Sequence, residues 1–383
     1  MNFTQNESQR ELADLSRRIL TDRLTPERLA GAEAGADRFD PALWASLAGA
    51  GILAAGLPEP VGGAGLGLLE QCSVLTELGR AVAPVPYLAS IVLGASALAR
   101  FGTPDQQRRW AAPAGRGELI LTAALPEEDG DDPRVPSASA ERVKGDGEAG
   151  GGWLLSGVKT AVFAAPLAAL LLVPAATADG PAVFLVAPGD PGVTVERQQV
   201  TGGDSAGRVT LRGARLGDDR VLGHAAAGLD ITEWLVAHGT VGLCALQLGV
   251  VERALELTSA YARDRVQFGR PIGSFQAVTQ RLADAYIDVE AVRLTMWQAA
   301  WRLAAGLPGR TEVATAKFWA ADAGHRVAHT AVHVHGGVGI DMDYPLHRYF
   351  TAAKRAEFAL GGATSQLRRI GAALASEPAE AMS

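Results

Sequence analysis

The sequence predicts an α+β protein of several domains, helical first, β-rich in the middle and helical again at the end. Three observations carry this. Apolar residues recur at three- and four-residue steps from Gln9 to about Glu118, short apolar runs replace that period between about Leu119 and Gly223, and long helical patterns return from about Asp230 to Leu374. The expected domains are 1–118 (α-helical), 119–226 (β) and 227–383 (a four-helix bundle).

In the first domain Leu12, Leu15 and Ile19 share one helical face and Leu43 and Leu47 another. The run Leu57-Pro58-Glu59-Pro60-Val61-Gly62-Gly63 between them reads as a turn. In the middle domain Trp153–Leu155, Leu170–Val173, Ala182–Val186 and Val209–Leu211, set apart by Gly, Pro and Asp, read as strands. Pro126–Gly152, rich in Gly, Asp, Glu and Ser, reads as a solvated surface loop. In the last domain Leu246, Val250, Ala254, Leu257 and Tyr261 line one helix, ended by a turn at Gly269–Gly273. A second helix runs from Phe275 to about Ala304, with Val278, Leu282, Ala285, Val289 and Val292 on one face. Small residues such as Ala245 and Gly249 allow close helix contact, and the bundle is expected to extend across a subunit interface.

Composition excludes several classes. With 383 residues, 48% of them hydrophobic and 20% charged, the chain can bury more than one core. Its two cysteines, Cys72 and Cys244, stand far apart with no CxxC and no histidine pair at metal-ligand spacing, so two buried free thiols are expected and no metal site. A net charge of −7, with both signs interspersed, forms no basic stripe for nucleic acid. Met1–Gln9 is polar without an apolar leader core, and no window reads as a membrane span, so cytoplasmic residence is expected.

The chemistry-bearing motifs cluster toward the C-terminus: Arg265-Val266-Gln267-Phe268-Gly269-Arg270-Pro271-Ile272-Gly273 with Gln276, then His335-Gly336-Gly337-Val338-Gly339, Asp343-Tyr344-Pro345 and Leu360-Gly361-Gly362-Ala363-Thr364-Ser365-Gln366. Upstream stand Leu57-Pro58-Glu59, Gly62–Gly67, Glu77-Leu78-Gly79-Arg80 and Gly102–Gln107. In this order and spacing they resemble the acyl-CoA dehydrogenase family, and the resemblance covers nearly the whole chain. It implies a helical domain, a β-domain and a C-terminal four-helix domain, with FAD lying between the last two and across a dimer interface. It further implies that Arg265 contacts the pyrophosphate of the FAD in the neighbouring subunit, a task suited to the planar guanidinium fork. Phe268 would pack by that cofactor, Gln276 would hydrogen-bond it, and Gly336 and Gly337 would let backbone amides approach it. Thr364 and Gln366 belong to the same implied set. The family glutamine before the two glycines falls at His333, a departure, and His335 reads as a packed helix-end histidine.

Two further departures concern the reaction. Family members carry Thr-Glu-Pro with Gly-Ser-Asp, and Gly-x-Lys-x-Trp-x-Thr, against the flavin ring; this chain has Ala123–Asp131 at the first place, and at the second Gly157-Val158-Lys159-Thr160-Ala161-Val162-Phe163. In the family a glutamate removes the α-proton of an acyl-CoA thioester while the β-hydrogen leaves as hydride. Its two known positions fall at Gly362 and Gly239. No base is therefore assigned; Glu233, six residues before Gly239, is the carboxylate to consider, with Glu357 and Asp343 beside it. Such combinations resemble actinobacterial α2β2 dehydrogenases of steroid and lipid catabolism. The resemblance thus implies a subunit of an FAD-dependent acyl-CoA dehydrogenase that lacks its own glutamate and completes the FAD site of a paralogous partner, with an electron-transfer flavoprotein as acceptor. Two alternatives stay open: a homotetrameric dehydrogenase with a displaced base such as Glu233, and a non-redox CoA-ester lyase, hydratase or binding protein on the same scaffold.

Overall fold

The computed structural model describes residues 3–130, 132–144 and 151–376. Its first third is helical: α1 (Glu7–Arg23), α2 (Pro26–Ala34), α3 (Pro41–Gly49), α4 (Ile52–Ala55), α5 (Leu68–Arg80), a π-helical stretch (Leu88–Ala95) continued by α6 (Ser96–Phe101), then α7 (Pro104–Gln106) and α8 (Ala112–Gly115). Local chemistry sets several starts. Thr25 and Asp40 accept N–H bonds from Arg28 and Leu43, and a proline follows each at the first helical position. At α7, Thr103 and Gln106 form a reciprocal capping box.

The strands follow: β1 (Leu121–Ala123), β2 (Ser139–Val143), β3 (Gly152–Phe163), β4 (Leu170–Thr177), β5 (Gly180–Val186), β6 (Val193–Arg197) and β7 (Ala206–Gly217). They make one sheet in the order β1-β4-β2-β3-β7-β6, with β5 also pairing β4. All four expected strands lie inside β3, β4, β5 and β7. Sequence reading missed β1, β2 and β6. The expectation of a surface loop over Pro126–Gly152 needs correcting, because β2 lies inside it and pairs antiparallel with β3, Ser139 opposite Ser156; residues 145–150 of that stretch, and Asp131, lie outside the described residues.

Helices then return as α9 (Gly228–Asp264), the hairpin β8 (Val266–Gln267) and β9 (Arg270–Pro271), α10 (Gln276–Ala304), α11 (Arg310–His335), α12 (Leu346–Phe358) and α13 (Ala363–Ser376). The C-terminal part is thus helical throughout apart from that hairpin. By length and composition α9 could cross a membrane, contrary to the sequence reading, but 72% of its apolar stretch is buried, as befits a core helix. Cys72 and Cys244 are both buried, and neither forms a disulfide.

The chain divides into two compact units, each with its own core. One comprises residues 18–71 and 84–239. Its sheet core packs Trp153, Leu155, Leu171, Val173, Phe184 and Leu211, all buried, with Trp153 edge-on to Phe184 at 5.4 Å. The other gathers residues up to Arg17, Cys72–Ala83 and the chain from Thr240 onward. There the C-terminal half of α5 lies on α9 at backbone distance. A Cβ on Gly249 would stand 1.9 Å from the carbonyl oxygen of Thr76, and one on Gly79 would stand 2.1 Å from that of Leu246. The Arg80 guanidinium then reaches Glu252 and Glu256 on α9 at 3.0 and 2.7 Å, and Tyr349 of α12 donates to the Arg80 carbonyl at 2.8 Å.

Because backbone faces backbone at Gly249, no side-chain rotation can make room for a methyl group. Gly249→Ala is expected to cost about 3 kcal/mol, read as a fall in the urea midpoint. Gly371→Ala, on α13 with open space around it, is expected to stabilise by about 0.5–1 kcal/mol through helix propensity.

Candidate functional site

Five of the residues implied to reach a neighbour's cofactor, Arg265, Phe268, Gln276, Gly336 and Gly337, sit on two adjoining segments of the C-terminal unit. At the first, Arg265 follows α9 directly; its N–H donates to the Tyr261 carbonyl at 2.8 Å and its own carbonyl accepts from Ile272 at 2.8 Å. Val266 pairs with Pro271 and Gln267 with Arg270, leaving Phe268-Gly269 as a two-residue turn. Both turn residues are left-handed, φ +52° and +77°, as a type I′ hairpin requires. Glycine does this freely and phenylalanine does not, so Phe268 is held at a conformational cost. It is also 93% exposed, with only an edge contact to Phe275 at 6.2 Å. A large apolar ring kept in a strained turn and pointed at solvent is what a surface built to be covered looks like. Arg265 is exposed beside it, and Gln276, first residue of α10, is exposed too.

At the second segment α11 ends at His335 and Gly336 takes φ +64°, ψ −140°, a conformation closed to residues with a side chain. Nothing lies within 4 Å of where a Cβ would stand on Gly336 or Gly337, so both backbones are open to close approach. These two segments fit the phosphate-bearing part of a dinucleotide: an exposed fork of donors, an exposed ring and bare backbone. His333 is exposed on the last turn of α11.

The middle-domain segment does not fit the flavin ring in the same way. The β3–β7 ladder shifts register between Lys159 and Val162, so Thr160 and Ala161 leave the pairing, and Ala161 takes φ +47°. Gln198 closes on them: its Oε1 accepts the Ala161 N–H at 2.6 Å and its Nε2 donates to the Thr160 hydroxyl at 3.0 Å. The Ala161 N–H, a donor that a ring would need, is thus engaged within the chain. Beneath them Lys159 is wholly buried and binds the buried Glu127 carboxylate at 2.5 Å. Burial works to raise the Glu127 pKa, but hydrogen bonds from Lys159 and Ser137 outweigh it and hold the carboxyl below its ordinary range.

Among the described residues, two of the candidate carboxylates, Glu357 and Glu233, face cations. Gly239 is buried within α9. Gly362 lies in the short turn between α12 and α13, where an added Cβ would meet only the Glu357 carbonyl at an ordinary 3.6 Å. The turn is firmly held. Lys317, wholly buried, donates to the carbonyls of Ala356 and Glu357 at 3.0 Å each, and burial pushes its pKa down to about 8. The Gln366 amide, buried rather than turned outward, donates to the Leu360 and Gly361 carbonyls at 3.1 Å each. Thr364 is exposed. The Glu357 carboxylate is taken by Lys354 at 2.6 Å and lies 3.2 Å from His325. Glu233 faces Arg134 at 4.0 Å, and Asp343 is exposed. Sequence reading missed His238, which precedes Gly239: its ring stacks on Trp234 at 3.8 Å, its Nδ1 meets the Trp234 carbonyl at 3.0 Å, and burial pushes its pKa down to about 4.

Known proteins resemble this chain over nearly its whole length. The acyl-CoA dehydrogenase N-terminal domain matches residues 6–118 and the acyl-CoA dehydrogenase C-terminal domain residues 226–375. The chain is 51% identical to the acyl-CoA dehydrogenase FadE27 of Mycobacterium tuberculosis over 99% of its own length and 100% of the relative's. It is similar to a chain of the ChsE4-ChsE5 complex of the same organism, with TM-score 0.93, 52% identity and coverage of 99% and 100%. It is likewise similar to a chain of the steroid ACAD Tcur3481-Tcur3483, with TM-score 0.88, 43% identity and coverage of 96% and 98%.

The buried Lys159–Glu127 pair yields a stability test. Lys159→Met strands a buried carboxylate and is expected to cost about 3–5 kcal/mol; adding Glu127→Gln should recover much of the loss. Since the folded-state carboxyl is depressed, its contribution is present above its ordinary pKa and is lost as pH falls through the lowered value, so acid denaturation of the wild type should be steeper than that of the double variant.

Proposed function

The chain belongs to the acyl-CoA dehydrogenase family, flavin oxidoreductases acting on CH–CH groups, and from that premise we propose that it is the non-catalytic half of a heteromeric dehydrogenase. In this reading it lends Arg265, Phe268, Gln276, Gly336, Gly337 and Thr364 to FAD bound mainly by a paralogous subunit in a cytoplasmic α2β2 assembly, whereas Gln366, expected in the same set, is buried and braces its own turn instead. The divisions at 118 and 226 belong to the same reading, since the helical hairpin-bearing domain is the part that does the lending. The observation that carries it is the pair of glycines, Gly362 and Gly239, at the base positions, with Glu357 and Glu233 both facing cations.

The division of labour follows from the residues. FAD, when bound, supplies the hydride acceptor. Arg265, at the base of a rigid hairpin, offers its guanidinium to a phosphate, its backbone fixed by the Tyr261 and Ile272 bonds. Phe268 covers apolar cofactor surface, releasing water from a ring that the free chain leaves exposed. Gly336 and Gly337 present bare backbone where a Cβ would obstruct. Proton abstraction falls to the partner, because a missing general base costs roughly 10²- to 10⁴-fold in rate. The similarity to subunits of a steroid ACAD and of the ChsE4-ChsE5 complex supports a bulky CoA thioester as substrate and a related chain as partner.

The test is to purify the chain alone and after co-expression with a paralogous dehydrogenase subunit, and to record visible spectra. Flavin bands are expected only in the complex, and Arg265→Ala should lower its flavin retention at least tenfold, about the loss of one charge-assisted contact. Stoichiometric FAD in the chain alone, with acyl-CoA oxidation at ordinary rates, would sink the proposal and direct attention to Glu233→Gln.

A further inference from the structure

The two lending segments leave different helices, α9 and α11, yet must present donor and bare backbone to one cofactor. What aligns them is a ring stack. Tyr261, on the last turn of α9, lies against His335, the last residue of α11, with ring centroids 4.3 Å apart and planes 24° apart. On one side of this pair the Tyr261 carbonyl receives the Arg265 N–H at 2.8 Å. On the other, His335 runs directly into Gly336 and Gly337.

The imidazole is itself fixed by two hydrogen bonds. Its Nδ1 lies 2.8 Å from the Ala331 carbonyl, which can only accept, so Nδ1 carries the proton. Its Nε2 therefore accepts, and its partner is the Tyr344 hydroxyl at 3.1 Å. Tyr344 belongs to the segment after the glycines, so the same ring ties both ends of the Gly336–Ile340 turn. The side chain is 4% exposed, too buried to meet a ligand itself.

We infer that His335 is a positioning residue for the cofactor: through its stack on Tyr261 and its bond from Tyr344 it holds Arg265 and the Gly336-Gly337 backbone in one register. The inference rests on the lending reading above and deepens it. The neutral ring is the form the fold favours, since burial presses its pKa below the ordinary value. The titratable groups that face it are the phenols of Tyr261 and Tyr344. A proton on Nε2 would oppose the Tyr344 hydroxyl's donation and loosen the clamp. The contribution is thus fully present above the ordinary histidine pKa of about 6.5 and is lost as pH falls through the lowered value of the folded state.

The experiment titrates FAD into flavin-stripped complex, formed by co-expression with the paralogous subunit, and follows flavin fluorescence at pH 8 and pH 5.5. Compared are the wild type, Arg265→Ala, His335→Ala and His335→Phe. His335→Ala loses stack and hydrogen bonds and should bind FAD about tenfold more weakly. His335→Phe keeps a ring for the stack but loses the Tyr344 bond and cannot titrate; it should bind between the wild type and His335→Ala at pH 8 and lose less affinity than the wild type at pH 5.5. Wild-type affinity in His335→Ala, or an acid weakening in His335→Phe equal to the wild type's, overturns the inference. Reduced thermal stability with unchanged FAD affinity would assign His335 a purely structural role and overturns it too. Arg265→Ala separates the two readings: if it also leaves affinity unchanged, the lending reading fails, whereas if it alone weakens binding, only the role of His335 fails.

Discussion

Backbone contact between α5 and α9 is the constraint from which the C-terminal unit takes its geometry. Gly79 and Gly249 let the two helices meet without intervening side chains, and the Arg80 bonds to Glu252 and Glu256 fix their register along the axis. The core built on that contact joins Val82, Val250, Ala254, Ala328, Leu346 and Tyr349 from α9, α11, α12 and the end of α5. With the body of α9 held so closely, its last turn has little freedom. The hairpin carrying Arg265 and Phe268 therefore projects from a rigid post, which is what a residue serving another subunit's ligand needs.

The proposed division of the site follows from the same economy. Groups that reach outward, Arg265, Phe268 and the two glycines, are exposed and stand on stiff helix ends. On that reading, groups that would serve the chain's own chemistry are absent or occupied: Gly239 and Gly362 carry no carboxylate, and Gln198 accepts the Ala161 N–H and donates to the Thr160 hydroxyl. The turn at Gly362 is nonetheless braced by Lys317 and Gln366. On the proposed reading, a frame retained without its base is one still used by a partner.

Much of this was legible in the sequence, and the exceptions have a common physical cause. Helix periods in α1, α3, α9 and α10 and the apolar runs of β3, β4, β5 and β7 are local patterns, and Gly249 in an apolar helix announced a close contact. The strands that went unseen are weak locally: β1 has three residues, all buried, so nothing alternates, while Ser139–Val143 carries two charged residues within a polar stretch. The missed features of the site are pairings at a distance in the chain. Glu127 with Lys159, Gln198 with Ala161 and Tyr261 with His335 are separated by tens of residues, and no local spacing foretells them. The glycines at 239 and 362 were readable because a family pattern told where to look; that Glu357 and Glu233 face cations was not, since ion pairs are made by the fold.

Flavin stoichiometry tests the central claim most directly. The complex of this chain with its paralogous partner, purified without added cofactor exchange, would be denatured and its released FAD counted against the two polypeptides. The account predicts a single FAD for each pair of unlike chains; one FAD for every chain would mean that the middle domain here holds a flavin of its own, and would contradict it.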